Sequence, residues 1–549
     1  VKSSRPHTDA LGPRLPRVII TGFMGTGKTK TAQALAEILG LECIDSDRLI
    51  EQMEGMTVAN IFARKGEPHF RRLEEEVCLK LAGRSGVVIA TGGGTLVHRK
   101  NFDVLSAAGH LVLLEASADA VLKRVGGDGA RPLLRGSEGS APNRAALKER
   151  ILSILEERRP AYHRISHRVD TSTISPDETA YRIAASMAIA SKKVGTAARI
   201  EIGRGLVSAL GRRLQEMHLD SSVFVLIPEN LRERFLAQIA ESLNSRSVAW
   251  QEVVIRDGDA GKNLDQAGEV LDRLASLGAA RDSTIVVVGG GVAGDLGGFV
   301  ASIYMRGVPL VHVPTTLLAQ VDSSIGGKVG VNHPKAKNLI GSFHPPRLVL
   351  SDPCVLRTLP AAEISNGMAE VVKTAILGDA DLFDFIEGRL TESHPDTLRD
   401  VEFLERCVLD SASVKSAITE RDPFEKDERR VLNLGHTLGH ALEAIGGYRG
   451  LTHGQAVSVG LVGAMRIAEA RGLVKSTLVE RTRNALANCG LPVDPPPFDD
   501  AAFLESLHLD KKKRSGRLHF VLPTGLGSVT VVNDVTEEEA RTSLRGERS

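Results

Sequence analysis

The run GFMGTGKT, residues 22–29, sits between a β-branched stretch, RVIITG (17–22), and KTKTAQALAEILG, whose apolar spacing is helical. A strand, a glycine-rich turn and a helix in that order are the first unit of a parallel sheet covered by helices. The turn matches GxxxxGK[ST] in full. Gly25 and Gly27 let the backbone fold so that its N–H groups surround phosphate oxygens, Lys28 adds a point charge, and Thr29 can ligate Mg²⁺. These residues point to a nucleotide phosphate site and leave the acceptor open.

The pattern continues with apolar strands in GVVIATGGG (86–94) and HLVLLEAS (110–117), separated by helix-like sequence. GGDGARPLLRGSEGSAPN (126–143) breaks it and reads as a mobile surface loop. After a helical stretch to about residue 190, ASKKVGTAAR is small, polar and basic, as a linker is. A second αβ series follows, with strands VFVLIP, EVVIRDG and TIVVVGGG. From about residue 360 the pattern is mainly helical up to a late strand candidate in RLHFVLPTGLGSVTVV. A chain of 549 residues is too long for one core. The expected division is a flexible tail (1–16), an α/β domain (17–187), a linker (188–198), an α/β half (199–358) and a helical half (359–549).

Composition narrows the functional classes. The net charge of +1, from 69 basic and 68 acidic residues, gives no overall argument for nucleic acid or an anionic membrane. No apolar stretch reaches the roughly 18 residues of a membrane helix, and the N-terminal stretch has no apolar signal region. Cys43, Cys78, Cys354, Cys407 and Cys489 are scattered, without a CxxC pair, and read as reduced thiols of a cytoplasmic protein.

The acceptor for the first site must be sought downstream of the loop. IDSDRLIE puts Asp45 and Asp47 at the end of the next expected strand, where alternate residues share a face and both carboxylates can enter one cleft. GEPHFRRLEEE supplies Arg71 and Glu74, TGGG (91–94) a close backbone approach, ARPLL Arg131, and EERRPAY Arg158. Singly, each arginine reads as a solvated charge. As an ordered set on this frame, segment 15–185 resembles shikimate kinase, with a gluconate-type or nucleotide kinase as the rival. The resemblance implies a P-loop kinase domain with a parallel sheet, using ATP with Mg²⁺. In it Asp47 would hold the shikimate hydroxyls, Arg71 and Arg158 would clamp the carboxylate, and Gly93 would contact the ring. Asp45 would help Thr29 place Mg²⁺, and Arg131 would close over ATP.

In the second half, LNLGHTLGHALEAIGG (431–446) sets His436 and His440 one helical turn apart, with His453 following in LTHGQAV. Alone, such a pair reads as a polar helix face more often than as a metal site. GGGVAGDLGGF (289–299) fits GxGxxG after a strand, yet the acidic residue of an ordinary dinucleotide fold does not follow. MRG (305–307), PTTLLAQVDSSIGGKVGVNHPKAKNLIGSFHPP (314–346), GMAEVVK (367–373) and FEKDERRVLNLGHTLGHALE (424–443) occur in one order. Together they make residues 197–535 resemble 3-dehydroquinate synthase.

That resemblance implies a Rossmann-like α/β half that binds NAD and an α-helical half that binds zinc, with cobalt as an alternative. Glu370, His436 and His453 would be the metal ligands, leaving His440 to handle substrate phosphate or protons. NAD contacts would come from Asp257 to Lys262, Gly291, Val292, Ala293, Gly294, Asp295, Thr315, Thr316, Lys328, Lys337 and Val355 to Thr358. The phosphorylated sugar acid, heptulosonate 7-phosphate, would meet Asp322, Lys328, Asn338, Lys373, Lys415, Glu425, Arg429 and Asn433, together with one lysine of 511–513. Arg306 would reach the phosphate of a neighbouring subunit, which implies a homodimer through this half. NAD would be used and restored in one turnover, with loss of phosphate, ring opening and aldol closure. The whole chain then reads as two fused enzymes of the shikimate pathway. The alternatives are another small-molecule P-loop kinase fused to a related sugar-phosphate cyclase, or a non-catalytic regulatory fusion.

Overall fold

The computed structural model describes residues 17–125, 144–187, 192–194, 198–334, 336–390, 395–446, 450–513 and 519–546. The expected tail, the loop 126–143 with Arg131, and most of the expected linker lie outside these residues. The chain forms two compact units, Val1–Met187 and Ala188–Ser549.

In the first unit the strands β1 (Arg17–Gly22), β2 (Glu42–Asp45), β3 (Val87–Ala90), β4 (His110–Glu115) and β5 (His167–Asp170) form one parallel sheet in the order β2-β3-β1-β4-β5. Alternation along β1 fills both faces. Val18 and Ile20 pack with Leu35, Ala36 and Ile183, whereas Ile19 joins Phe70, Val77 and Leu81. The strand β5 has no clear sequence signal, because HRVD is short and polar and lies at the sheet edge. The helices that position the site are α1 (Lys28–Leu39), α2 (Ser46–Glu54), α3 (Glu67–Ala82) and α4 (Arg144–Tyr162). One expectation fails here: Asp47 is not on a strand. Asp45 ends β2 and caps α2, accepting from the N–H groups of Asp47 at 3.0 Å and Arg48 at 3.3 Å, so Asp47 stands in the first helical turn.

The second unit contains a seven-stranded sheet built from β6 (Lys192–Val194), β7 (Arg199–Ile202), β8 (Val223–Pro228), β9 (Trp250–Ile255), β10 (Thr284–Gly289) and β11 (Leu310–Pro314). A hairpin, β12 (Lys328–His333) with β13 (Ala336–Phe343), precedes the last strand of the sheet, β14 (Leu348–Ser351). The sheet order is β6-β7-β14-β11-β10-β8-β9, and only the edge pair β6–β7 is antiparallel. The strand β6 falls inside the stretch read as a linker: a three-residue run of KKV carries too little pattern to announce pairing. Helix α5 (Gly291–Ile303) follows β10 directly.

The helical half is built on α6 (Ala361–Gly378), α7 (Val401–Arg421), α8 (His436–Ile445) and α9 (His453–Ala470). The late strand candidate is a hairpin of two strands, β15 (Phe520–Gly525) and β16 (Ser528–Val532). One apolar core runs from Ile200 and Val286 through Val371, Leu438 and Val459 to Leu544, so the α/β and helical halves share it.

Helices α8 and α9 touch backbone to backbone. A Cβ at Gly460 would lie 2.0 Å from the Gly435 carbonyl oxygen and 2.9 Å from the Gly439 nitrogen, so nothing larger than glycine fits unless the helices separate. Gly460→Ala is therefore expected to cost about 1–3 kcal/mol of stability through overpacking. A lowered denaturant midpoint for the second unit checks it, and an unchanged midpoint contradicts the close approach.

Candidate functional sites

In the first unit the strand ends of β1, β2 and β3 open on a cavity of about 800 Å³ lined by the phosphate loop, Asp45, Asp47, Gly93 and Arg158. Gly27 holds the loop at φ 92°, a left-handed conformation that glycine adopts without strain. The Lys28 ammonium donates to the carbonyls of Gly22 and Phe23, each at 3.0 Å. Thr29 Oγ1 donates to Asp45 Oδ2 at 2.8 Å, which puts two hard oxygen ligands together beside the loop. Burial, with Asp45 and Glu74 nearby, pushes the Asp47 carboxyl up to about 6. Its Oδ1 accepts no hydrogen bond among the described residues. This carboxylate can therefore accept a proton or a hydroxyl hydrogen bond near neutral pH.

Arg71 on α3 and Arg158 on α4 converge over Gly94. The point where a Gly94 Cβ would sit is 3.5 Å from Arg71 Nη1 and 3.7 Å from Arg158 Nη2. Each guanidinium is held from behind. Arg158 Nη1 donates to the Gly93 carbonyl at 2.7 Å, and the Tyr162 hydroxyl donates to the same oxygen at 2.9 Å. Arg71 is ion-paired with the buried Glu74 and with Glu67. Two forked donors facing one gap form a seat for a carboxylate. Arg124 also lines the cavity, donating to the Gly25 carbonyl at 3.2 Å and to Thr171. Sequence reading misses it, since an arginine within VLKRV carries no motif signal.

In the second unit α6, α8 and α9 bring Glu370, His436 and His453 together, with one ligand atom from each lying within 4.8 Å of the others. Glu370 is 1% exposed; its Oε1 lies 3.4 Å from His436 Nε2 and 3.6 Å from His453 Nε2. Among the described residues neither carboxylate oxygen has a well-aligned hydrogen-bond donor, although the Lys373 ammonium ion-pairs with Oε2. A buried carboxylate with open lone pairs beside two imidazoles fits a divalent cation. Three ligands leave a coordination position for substrate.

Two of the three groups already stand in the protonation state of a ligand, and the third does not. Burial would raise the Glu370 carboxyl, but Lys373 and both histidines hold it well below its ordinary range. Burial and Lys373 keep His436 well below its ordinary value, hence neutral. Its Nδ1 faces the Leu434 carbonyl at 3.1 Å, which leaves Nε2 as the free lone pair. His453 goes up to about 10, since Glu370 and Glu443 outweigh its burial, so a bound cation must displace its proton. His440 stands outside this trio. Its ring is 5.2 Å from that of His436 and 6.3 Å from that of His453, on the exposed side.

Around the trio lies a set of paired cations. Lys373 also donates to the Leu432 carbonyl at 2.9 Å. Lys415 is ion-paired with Asp322, which sits on a π-helical turn, Ala319–Ser323, and donates to the Asp322 carbonyl at 2.7 Å. Burial lowers the Lys415 ammonium even against Asp322, and Lys415 outweighs burial to keep Asp322 low. Lys328 pairs with Glu425, which accepts from Asn433 at 3.4 Å. Arg429, buried, donates to the carbonyls of Gly326 at 3.1 Å and Pro423 at 2.8 Å.

The glycine-rich turn between β10 and α5 places Gly291, Val292, Ala293, Gly294 and Asp295 at a helix start. Lys262 bridges Asp295 and Asn338 at 2.5 Å each, and Lys337 pairs with Asp259 at 2.7 Å. Thr315 donates its N–H to Gly289 at 3.0 Å, with Thr316 next to it. Asp257 accepts from Asn230 at 2.8 Å, and the turn Val355–Thr358 closes through a 2.8 Å bond. Arg306 (φ 67°), Asn338 (φ 52°) and Glu425 (φ 54°) adopt left-handed conformations that cost a non-glycine residue about 1–3 kcal/mol. Such strain concentrates where side chains must be aimed. The side chains of residues 511–513 lie outside what the structure describes.

The chain is matched by a family model for shikimate kinase over residues 24–188 and by models for 3-dehydroquinate synthase, N-terminal over 252–366 and C-terminal over 367–513. A 3-dehydroquinate synthase of Pelobacter propionicus is 42% identical over 342 residues, 62% of this chain and 94% of that relative. Among solved structures, a 2-epi-5-epi-valiolone synthase from Streptomyces hygroscopicus, with NAD⁺ and Zn²⁺ bound, is 30% identical with a TM-score of 0.57, over 60% of this chain and 92% of its own. A 2-deoxy-scyllo-inosose synthase complexed with carbaglucose-6-phosphate, NAD⁺ and Co²⁺ is 26% identical with a TM-score of 0.58, over 65% and 99%.

The seat over Gly94 is open to a direct test. Its φ of −108° suits any residue, and a methyl group there makes ordinary contacts while occupying the gap between the guanidinium groups. Gly94→Ala is expected to fold and bind ATP normally. Its KM for shikimate, the substrate named by the matched kinase family, should rise about tenfold or more, because a charge-assisted contact is worth about 1.5–3 kcal/mol. An unchanged KM contradicts the seat.

Proposed function

The chain belongs to the 3-dehydroquinate synthase family, with a shikimate kinase domain fused ahead of the synthase, and from that premise we propose which residues perform its two reactions. It is a bifunctional shikimate-pathway enzyme, a phosphotransferase and a phosphorus–oxygen lyase.

In the kinase, the convergence of Arg71 and Arg158 over Gly94 supports a carboxylate clamp for shikimate. Asp47 holds the hydroxyl to be phosphorylated and takes its proton. Thr29 and Asp45 hold Mg²⁺, which neutralises charge on the ATP phosphates, while Lys28 and the loop N–H groups carry the rest. Arg124 packs along the nucleotide side of the same cavity, where a planar guanidinium can lie against a base.

In the synthase, one observation carries the reading: the buried Glu370 carboxylate sets its Oε1, which has no well-aligned hydrogen-bond donor among the described residues, against two imidazole nitrogens. Glu370, His436 and His453 hold zinc or cobalt, and the turn at Gly291–Asp295 holds NAD. The metal supplies Lewis acidity and NAD a reversible hydride acceptor. Lys328, Lys373, Lys415, Arg429 and Asn433 bind the phosphorylated sugar acid, with Asp322 and Glu425 keeping two of these cations in place until substrate arrives. His440, on the open side, handles protons at the phosphate. Arg306, exposed and conformationally constrained, serves the phosphate of a partner subunit in a homodimer. Free cysteines suit a reducing cytoplasm. No helix among the described residues is long and apolar enough to cross a membrane.

The Asp47 assignment sets a pH dependence. Folding raises this carboxyl from 3.8 to about 6, so it disfavours the ionised form. The penalty is absent below about pH 3.8, grows through that window, and is complete above about 6. About two units at ~1.4 kcal/mol each give an upper bound of ~3 kcal/mol. Asp47→Asn is therefore expected to raise the melting temperature at pH 7.5 while abolishing shikimate phosphorylation. Wild-type kcat/KM for shikimate should fall about tenfold per pH unit below about pH 6. A flat profile between pH 5 and 7 contradicts Asp47 as the base.

Each reaction uses residues from one unit alone. Lys28→Ala is expected to remove kinase activity and leave dehydroquinate formation near wild type, and His436→Ala to do the reverse. A zinc-selective chelator in excess Mg²⁺ should stop only the synthase. Parallel assays of both activities on each folded variant check this; loss of both in Lys28→Ala refutes independence.

A further inference from the structure

Beside the proposed metal trio stands a carboxylate, Glu443, that the trio does not use. On α8, His436, His440 and Glu443 follow at intervals of four and three residues, a single stripe along the helix. The stripe faces the first turn of α9, which begins at His453. Glu443 is 8% exposed, and its Oε1 lies 3.8 Å from His453 Nδ1. The other ring nitrogen, Nε2, is 3.6 Å from Glu370 Oε1. His453 thus has a carboxylate at each end of its ring, one in the metal trio and one behind it.

The backbone at His453 is tied down from a second direction. Asn366, one helical turn before Glu370 on α6, accepts the Gly454 N–H on its Oδ1 at 2.6 Å. This bond joins the start of α9 to the helix that supplies Glu370. With the backbone fixed, the remaining freedom of His453 is rotation of its ring and the choice of which nitrogen carries hydrogen. An imidazole that donates Nδ1–H to a carboxylate presents Nε2 as a lone pair, turned toward the ion.

We infer that Glu443 is a positioning residue for the metal centre: it takes the His453 Nδ1–H and so fixes the tautomer and orientation in which Nε2 meets Glu370 and His436. This rests on the Glu370–His436–His453 reading. A competing arrangement is available, since His440, Glu443 and His453 also form a potential ligand group, in which Glu443 would touch the ion itself.

Two substitutions of nearly the same volume test this in the full chain. Glu443→Gln keeps an oxygen that accepts Nδ1–H, whereas Glu443→Met keeps the shape and loses the acceptor. Zinc affinity is measured by competition with a fluorescent chelator, after circular dichroism shows that both fold. Glu443→Met is expected to bind zinc about tenfold to a hundredfold more weakly, with most of that loss recovered in Glu443→Gln. His440→Ala should bind zinc as the wild type does. Equal affinities for the Gln and Met variants overturn the positioning role. If His440→Ala loses zinc while Glu370→Gln retains it, the ion belongs to the competing group, and the trio reading fails with it. If Glu370→Gln loses zinc and both Glu443 variants bind normally, the trio stands and only this inference falls.

Discussion

A carboxylate at 1% exposure is costly unless cations surround it, and Glu370 is in that position. The helical half of the synthase is arranged to supply them. Lys373 comes from the next turn of the same helix, His436 from the start of α8, and His453 from the start of α9. The two histidines begin their helices, so their placement depends on where those helices start and how closely they pack. The glycine contact between α8 and α9 brings them within reach of Glu370. The energetic need of one buried charge thus fixes three helices relative to one another.

The same economy governs the other cations. Lys415 with Asp322, Lys328 with Glu425, and Lys262 with Asp295 and Asn338 are paired inside the protein. A phosphorylated, carboxylated substrate can exchange these internal partners for its own oxygens. Its binding then replaces one set of charge contacts with another instead of creating charge pairs from solvated ions. The kinase uses a parallel device. Arg71 is backed by Glu74 and Arg158 by the Gly93 carbonyl, which leaves their outer edges turned to one gap. With the proposed assignments, the substrate of each unit meets donors that are already oriented, the condition under which electrostatic contacts contribute most to rate.

Much of this is legible in the sequence where the chemistry is contiguous. The phosphate loop between RVIITG and KTKTAQALAEILG, the later apolar strand runs and the spaced histidines declare strand, turn or helix through periodicity and spacing, and the α/β order emerges from them. The illegible parts depend on side-chain caps and on strand and side-chain contacts that no local pattern announces. Asp47 reads as a strand residue because alternation with Asp45 fits a strand; only the capping bonds from the Asp47 and Arg48 N–H groups show that the chain has turned into a helix. HRVD and KKV are too short and polar to signal edge strands; HRVD pairs with the distant β4, whereas KKV pairs with β7, which follows it closely. Arg124 and Glu443 lie in ordinary helical sequence, and only folding brings one to the nucleotide cavity and the other to His453.

The central claim is that Glu370, His436 and His453 converge on one ion. Anomalous diffraction from crystals of the zinc-loaded full chain, collected above and below the zinc absorption edge, tests it most directly. The account predicts one strong peak per chain, about 2.0–2.2 Å from a Glu370 oxygen and from Nε2 of both histidines. A peak seated instead among His440, Glu443 and Nδ1 of His453, or no peak at full zinc loading, would contradict it.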